Sequence, residues 1–210
     1  MAWAIANRKL PARLCKSKQQ KSETCAEMKL FVTGIGTDVG KTVASAMLVR
    51  QLKTAYWKPV QAGAPTDSDE IRRLVGPDVE IVPEAYRLLH PASPHESAAR
   101  EGIEIDLSVV VNTPLPERCI IEGAGGLLVP INKRQTVADM ALALQAPLVI
   151  VVRYYLGCIN HTLLTVDFCQ SRNLPIAGLV LNGTPNEYSK EVILSRTGLP
   201  VLMEIPELEV

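Results

Sequence analysis

The sequence is poor in aromatic side chains and has no excess of charge of either sign. Phe, Trp and Tyr make up 4% of the 210 residues, so a folded core has to be built from aliphatic side chains. The 22 basic residues balance the 22 acidic ones, which removes the electrostatic reason to expect nucleic acid or an anionic membrane as a partner. No apolar run approaches the roughly 20 residues that a membrane-spanning helix needs.

Cysteine patterns typical of disulfide or zinc frameworks are also missing. The five cysteines are scattered and odd in number, with neither a CxxC pair nor a Cys/His cluster. Reduced thiols in a cytoplasmic protein are the simplest interpretation. With 47% hydrophobic residues and 210 residues in all, the chain has the length of one domain with a sizeable core.

Residues 1–27 differ from the rest of the chain. They carry six basic residues and two acidic ones and show no sustained hydrophobic periodicity. The apolar start is too short for the core of a signal peptide and precedes the positive charges instead of following them. We therefore expect a disordered or non-native basic extension over 1–27 and a single catalytic domain over 28–210.

Residues 30–45 have the pattern of a strand, a glycine-containing loop and a helix. Gly34, Gly36 and Gly40 allow the backbone N–H groups to approach an anion closely. Lys41 can reach the β- and γ-phosphates of a nucleotide, and the Thr42 hydroxyl can bind Mg²⁺. The usual phosphate loop has four residues between its first glycine and Gly-Lys-Thr, whereas Gly34 is followed by five. A bound nucleoside triphosphate is the prediction.

Two further polar residues lie at the carboxyl ends of predicted strands. Lys58 lies at the end of a strand predicted over 55–60, and Glu122 ends a buried strand that begins at Cys119. Ligands of open α/β sheets bind at the carboxyl edge of the strands, so Glu122 is a candidate for holding Mg²⁺. The alternatives are a solvated lysine and a structural glutamate. Asp67 and Asp69 either cap a helix or, in one case, face the metal.

Strands alternate with helices along the rest of the domain, and the strands are rich in Val, Ile and Leu. This pattern predicts a three-layer α/β/α fold of the phosphate-loop NTPase type with a mainly parallel sheet. Right-handed crossovers put the strand-to-helix loops on one edge, so 34–42, Lys58, Glu122, 156–161 and Asn182 are expected to share that edge. The segment 104–111 is ambiguous between helix and strand. A cap cluster at 67–69 begins a predicted helix that continues through 74. The other predicted helices cover about 42–53, 96–101, 136–144, 156–172 and 186–196. Further extended segments cover 86–88, 127–131, 147–152, 176–181 and 201–205.

Several linked motifs resemble those of the dethiobiotin synthetases, in the same order and over residues 28–210. The resemblance also accounts for the five-residue spacer of the phosphate loop. The motifs are Gly-Ile-Gly-Thr-Asp-Val-Gly-Lys-Thr, Tyr-Trp-Lys-Pro-Val-Gln-Ala-Gly, Ser-Pro-His, Ile-Glu-Gly-Ala-Gly-Gly, Leu-Gly-Cys-Ile-Asn-His and Glu-Ile-Pro.

The resemblance implies an ATP-dependent ring closure that converts 7,8-diaminopelargonic acid and CO₂ to dethiobiotin, a late step of biotin biosynthesis. It implies that Lys41, Lys58 and Thr37 serve catalysis, with Lys58 at the carbamate and the transferred phosphoryl group. Mg²⁺ would be held by Thr42, Asp69 and Glu122. Nucleotide contacts would come from Gly36, Thr37, Asp38, Val39, Gly40, Lys41, Thr42, Gly123, Ala124 and Gly125, and adenine contacts from Asn182, Gly183, Glu204, Ile205 and Pro206.

The resemblance also implies a homodimer in which the neighbouring subunit receives the substrate carboxylate at a helix start, formed by Leu156, Gly157, Cys158 and Asn160. Two positions depart from the family pattern. Ala62 stands where a Ser or Thr commonly meets a substrate amine, and Gly36 stands where Asp is frequent. The hydrogen bond at Ala62 is therefore missing or replaced.

Two other functions share this loop type. An amide-forming relative of cobalamin biosynthesis would require an additional glutamine amidotransferase domain, for which the chain is too short. A partner-switching ATPase of the partitioning or septum-positioning class would typically carry a second lysine early in the loop, where Gly36 stands. It would also leave Lys58 and the following Pro-Val without a use.

Overall fold

The structure is a computed structural model that describes residues 27–207. Nearly all of the predicted extension at 1–27 lies outside the described residues and stays a prediction. Within residues 27–207, no helix is long and apolar enough to cross a membrane. The first strand begins at Met28, where the folded domain was predicted to start.

Seven strands form the central sheet in the order β4-β2-β6-β1-β7-β8-β9, and every pair of neighbours is parallel. The remaining two, β3 and β5, pair in a separate small sheet. The strands are β1 Met28–Gly34, β2 Ala55–Trp57, β3 Val60–Ala62, β4 Ile81–Val82, β5 Tyr86–Leu88, β6 Arg118–Gly126, β7 Leu148–Arg153, β8 Ile176–Asn182 and β9 Val201–Ile205.

Helices cover both faces of the sheet, which confirms the three-layer prediction. Alternate residues of a strand point to opposite faces, and accordingly Phe31 packs in one hydrophobic core while Val32 packs in the other. The helices are α1 Lys41–Leu52, α2 Asp67–Val75, α3 Pro94–Arg100, α4 Leu107–Val111, α5 Val137–Ala143, α6 Cys158–Ser171 and α7 Glu187–Thr197.

Three predicted segments differ from the structure. The strand expected over 55–60 is two strands, because Pro59 has no N–H to continue the ladder. The segment 127–131 forms a turn closed by a bridge between Pro130 and Thr136 instead of a strand. The ambiguous segment ends in the short helix α4, whose start is capped by the Asp106 carboxylate.

Candidate active site

A cleft of about 1100 Å³ lies at the carboxyl edge of the central sheet. The phosphate loop forms its floor, and the ends of β2, β6, β7 and β8 and the start of α2 form its walls. Because all of these strands are parallel, their carboxyl ends meet on one side. The fold therefore brings Lys41, Lys58, Glu122 and Asn182 to one cleft, as the sequence predicted.

The phosphate loop is held in shape by side chains from its surroundings. Gly40, at the start of α1, has φ 88°, a left-handed conformation that favours glycine. A Cβ atom at this position would lie 2.2 Å from Nδ2 of Asn182, which donates a hydrogen bond to the Val39 carbonyl at 2.8 Å. Lys41 Nζ donates to the Gly36 carbonyl at 3.2 Å. The loop thus presents Lys41 and the N-terminus of α1 to the cleft, an arrangement suited to phosphate.

Lys58 is the centre of a buried polar cluster next to this loop. Its Nζ atom lies 2.6 Å from Asp67 Oδ2 and 3.2 Å from Glu122 Oε1, and it also donates to the Gly123 carbonyl. The Thr42 hydroxyl lies 2.8 Å from Asp67 Oδ1 and 3.0 Å from Glu122 Oε1. Two carboxylates, an ammonium and a hydroxyl therefore converge at the mouth of the phosphate loop.

Lys58 and the two carboxylates stabilise each other's charged forms. Burial by itself lowers the pKa of Lys58, but Glu122 and Asp67 outweigh it and raise that pKa above its ordinary value. Burial likewise opposes ionisation of Asp67, yet the Lys58 ammonium lowers its pKa below the usual range. The pKa of Lys41 is lowered by burial and by the nearby Lys58 charge. Lys58 is therefore a fixed ammonium near neutral pH, poised for negative charge that enters the cleft.

The structure places Asp67, and not Asp69, in the cluster, whereas the resemblance pointed to Asp69. Thr66 is the N-cap of α2, and its hydroxyl accepts from the Asp69 N–H at 3.1 Å and donates to the Asp69 carboxylate at 2.6 Å. The Asp69 side chain is 59% exposed and pairs with Arg72. Asp67 is the first helical residue, and its N–H donates to the Gln61 side chain, which aims Asp67 at Lys58.

The oxygen atoms of Thr42, Asp67 and Glu122 fit a magnesium ion. Within residues 27–207, no group of three or more His, Cys, Asp or Glu residues comes together at a metal-binding distance. Mg²⁺ does not require such a group, because it is commonly bound by one or two carboxylates together with substrate phosphates and water. The donor set is all oxygen and adjoins the phosphate loop, as this mode of binding requires.

Most of the predicted nucleotide residues line the cleft, but some do not. Val39 and Ile205 are buried, and the Glu204 carboxylate pairs with Lys190 at 2.9 Å on the outside of the sheet. Gly36 borders a second, largely apolar cavity beside the cleft. The predicted residues that line the cleft are Thr37, Asp38, Gly40, Lys41, Thr42, Lys58, Ala62, Glu122, Ala124, Gly125, Asn182 and Gly183.

The predicted carboxylate-binding segment does not reach the cleft of its own chain. Helix α6 begins at Cys158 after Gly157, with Leu156 fully exposed and Asn160 also on the surface. Cys158 is buried. The next turn of the helix, at His161, borders the apolar cavity. The segment 156–160 therefore lies outside the cleft of its own chain.

The sequence interpretation missed two side chains of the site, Arg153 and Tyr56. Arg153, at the end of β7, pairs with Glu207 at 2.9 Å and donates to the Asp38 carbonyl at 3.4 Å. The strand-end position that identified Lys58 could have identified Arg153 as well. Tyr56 donates to Glu122 Oε2 at 3.1 Å, and no local signal distinguishes it from an ordinary strand aromatic.

Comparisons with known proteins agree with the geometry of this site. A family profile described as "AAA domain" matches residues 28–210. Among solved structures, a ParA family ATPase from Chlorobium tepidum is similar with a TM-score of 0.57 and 15% identity, over 88% of this chain and 86% of that one. At this identity the likeness shows the shared fold alone.

Curated relatives are much closer in sequence. The ATP-dependent dethiobiotin synthetase BioD of Cytophaga hutchinsonii is 46% identical over 183 residues, which cover 84% of this chain and 87% of the relative. The enzyme of the same name from Rhizorhabdus wittichii is 46% identical, over 86% of this chain and 88% of the relative. The chain belongs to the family of ATP-dependent dethiobiotin synthetases.

Proposed function

We propose that this protein is a dethiobiotin synthetase, which uses ATP to close the ureido ring of dethiobiotin from 7,8-diaminopelargonic acid and CO₂. The observation that carries the proposal is the buried Lys58 ammonium, 3.2 Å from Glu122 and directly beside the phosphate loop. A partner-switching ATPase needs the phosphate loop but has no use for a second fixed cation at the end of β2. Ring closure through a phosphorylated carbamate requires one.

The reaction joins three partners in a small anionic site. One substrate amine adds to CO₂ and forms a carbamate, whose oxygen attacks the γ-phosphorus of ATP and displaces ADP. The second amine then attacks the carbonyl carbon of the resulting carbamoyl phosphate, and phosphate leaves as the ring closes. Each step brings negative oxygens together, so the protein contributes mainly alignment and charge neutralisation.

The residues of the cleft divide these tasks. Lys41, held at the Gly36 carbonyl, is placed to bind the β- and γ-phosphates. Lys58 is placed to stabilise the carbamate and the phosphoryl group during its transfer. Thr37 lies on the exposed part of the loop next to the cleft, near the place proposed for the substrate amines. Ala62 borders the same wall and offers no hydroxyl to them.

We also propose that magnesium is held by Thr42, Asp67 and Glu122, whose oxygens converge as described above. When bound, the ion spreads the negative charge of the phosphates. Glu122 is 1% exposed and Asp67 is partly buried, so both carboxylates are largely shielded from water. Their ion pairs with Lys58 hold them in place. The base would lie near Asn182 and Gly183, which line the far end of the cleft.

The assay that tests the function compares ADP release with diaminopelargonate and bicarbonate together against each alone. We expect turnover only when both are present, with one ADP formed per dethiobiotin. The product is measured by mass spectrometry in the same samples. ATP hydrolysis that is indifferent to diaminopelargonate would contradict the proposal and would favour an ATPase of another kind.

A homodimer is the second part of the proposal. Leu128 and Leu164 are 65% and 60% exposed and border the apolar cavity, and Leu156 is fully exposed nearby in the chain. A second copy that covers this surface would bring its own helix start at Leu156 towards the cleft. A helix N-terminus suits the substrate carboxylate because its free N–H groups point outward.

The dimer is tested by light scattering. We expect a mass twice the 22.9 kDa of one chain, and we expect Leu164→Glu to yield monomers with strongly reduced turnover. Leu89→Glu is the matched control, because Leu89 is 77% exposed but lies outside both cavities. A wild-type mass of one chain at assay concentration would refute substrate capture across subunits.

A further inference from the structure

The two oxygens of Glu122 have different partners. Oε1 lies within hydrogen-bond distance of Thr42 and Lys58, on the side of the cleft. Oε2 accepts a hydrogen bond from the Tyr56 hydroxyl at 3.1 Å on the opposite side. Tyr56 is 0% exposed and Glu122 is 1% exposed, so this hydrogen bond is shielded from water.

The strand register explains why Tyr56 reaches this carboxylate. Strands β2 and β6 are parallel neighbours in which Tyr56 pairs with Ile120. Residues two apart on a strand share a face, so Glu122 follows Ile120 on the face to which Tyr56 points. The ring packs in the core beneath α1 and α2, with Ile71 and Leu48, and only its hydroxyl extends towards the carboxyl edge.

The hydrogen bond from Tyr56 holds one oxygen of the Glu122 carboxylate. The Tyr56 hydroxyl donates to Oε2 at 3.1 Å. Since a buried carboxylate with one oxygen held cannot rotate freely about its last bond, Oε1 stays directed at Thr42 and the phosphate loop.

We propose that Tyr56 is a positioning residue for Glu122, and that its hydroxyl directs Oε1 to the site where the magnesium of the nucleotide complex is bound. The inference rests on the proposed function, since it concerns the same metal. Hydrogen-bond partners of metal-binding carboxylates commonly affect metal affinity by about 10- to 100-fold. Tyr56 does not touch substrate or nucleotide in this scheme and acts through Glu122.

A purely structural role of Tyr56 makes a different prediction. If the hydroxyl only satisfies a buried carboxylate, its removal lowers the stability of the domain and leaves the metal dependence of nucleotide binding as it was. The readout that separates the two roles is therefore the ratio of nucleotide dissociation constants measured with magnesium and with EDTA. This ratio does not depend on turnover.

The experiment compares Tyr56→Phe with the wild type by titration calorimetry, with ADP as the nucleotide. For Tyr56→Phe we expect the dissociation constant in magnesium to rise by about 10-fold or more and the constant in EDTA to stay unchanged. The magnesium concentration for half-maximal binding should rise correspondingly. An unchanged ratio, or equal weakening in both buffers, would overturn the inference.

Tyr86→Phe is the matched control. The Tyr86 hydroxyl accepts a hydrogen bond from the Asp106 N–H at 3.0 Å, away from the cleft, so its loss tests the cost of deleting a hydroxyl without touching Glu122. If Tyr56→Phe does not fold, Tyr56→His carries the same comparison with a smaller ring that keeps an N–H donor. For Tyr56→His, the ratio of the dissociation constants in magnesium and in EDTA should differ from that of the wild type by less than about 10-fold. A larger difference would overturn the inference.

Failure of the inference and failure of the proposed function give different results. A wild-type protein that binds ADP equally well with and without magnesium, and that forms no dethiobiotin, contradicts the function itself. A wild-type protein that needs magnesium and forms dethiobiotin, together with a Tyr56→Phe variant of the same ratio, contradicts only the role of Tyr56.

Discussion

Lys58→Ala is expected to reduce dethiobiotin formation by about 100- to 1,000-fold, because it removes a preorganised charge from the site of the developing phosphoryl and carbamate charges. ATP binding should change far less, since Lys41 and the loop N–H groups remain in place. Turnover is measured by coupled ADP release, and binding is measured by calorimetry with a non-hydrolysable ATP analogue.

The variant will also be less stable, which has to be separated from the catalytic effect. Without Lys58, the carboxylates of Asp67 and Glu122 lose their ion-pair partner, and an unpaired charge in a buried site is unfavourable. Binding and turnover are therefore compared well below the melting temperature of the variant. A bound analogue with wild-type affinity demonstrates that the cleft is intact.

Lys190→Ala is the control for removal of a lysine. Lys190 pairs with Glu204 on the surface at 2.9 Å and lies outside the cleft, so turnover should remain near the wild-type value. Equal losses of binding and turnover in Lys58→Ala would assign Lys58 to nucleotide affinity instead of transition-state stabilisation.

Asp67→Asn is expected to lower turnover by about 100-fold or more at saturating ATP, whereas Asp69→Asn should stay within about twofold of the wild type. The two aspartates are two residues apart at the start of the same helix, yet only Asp67 faces Thr42 and Lys58. Loss of the Asp67 charge removes one proposed oxygen ligand of magnesium and one partner of the ammonium.

The measurement that checks this pair is turnover as a function of magnesium concentration. For Asp67→Asn, the half-maximal magnesium concentration should rise together with the loss of turnover. Asp69→Asn is the matched control because its side chain is exposed and serves the cap at Thr66. A larger loss in Asp69→Asn than in Asp67→Asn would restore the ligand assignment that the family resemblance favoured.

The parallel topology connects these experiments with the Tyr56 test. Glu122 of β6 pairs with Val32 of β1, and Lys58 follows β2 on the other side of β6. The Glu122 carboxylate therefore contacts three residues: Thr42 of the phosphate-loop helix, Lys58 and the core residue Tyr56. We expect the effects of Lys58, Asp67 and Tyr56 substitutions to be non-additive for this reason.

The sequence by itself determined the phosphate loop and the α/β class, and it pointed to Lys58 and Glu122, although β6 continues past Glu122 to Gly126. These features depend on short patterns: glycines and Gly-Lys-Thr after a strand, and polar residues at the ends of β-branched runs. Parallel strands bring such ends to one edge by topology alone. No distance between side chains was needed to infer that they share a cleft.

The tertiary structure decided which side chains within these segments face the site. Asp67 and Asp69 have equal capping potential in sequence, and the choice depended on Thr66 becoming the cap and on Gln61 holding the Asp67 N–H. In the sequence, Tyr56 has the pattern of an ordinary core aromatic. Only the register of β2 against β6 shows that its hydroxyl lies at Glu122. The contact of Asp67 with Thr42 joins residues 25 apart and that of Tyr56 with Glu122 joins residues 66 apart, and local residue preferences do not encode such contacts.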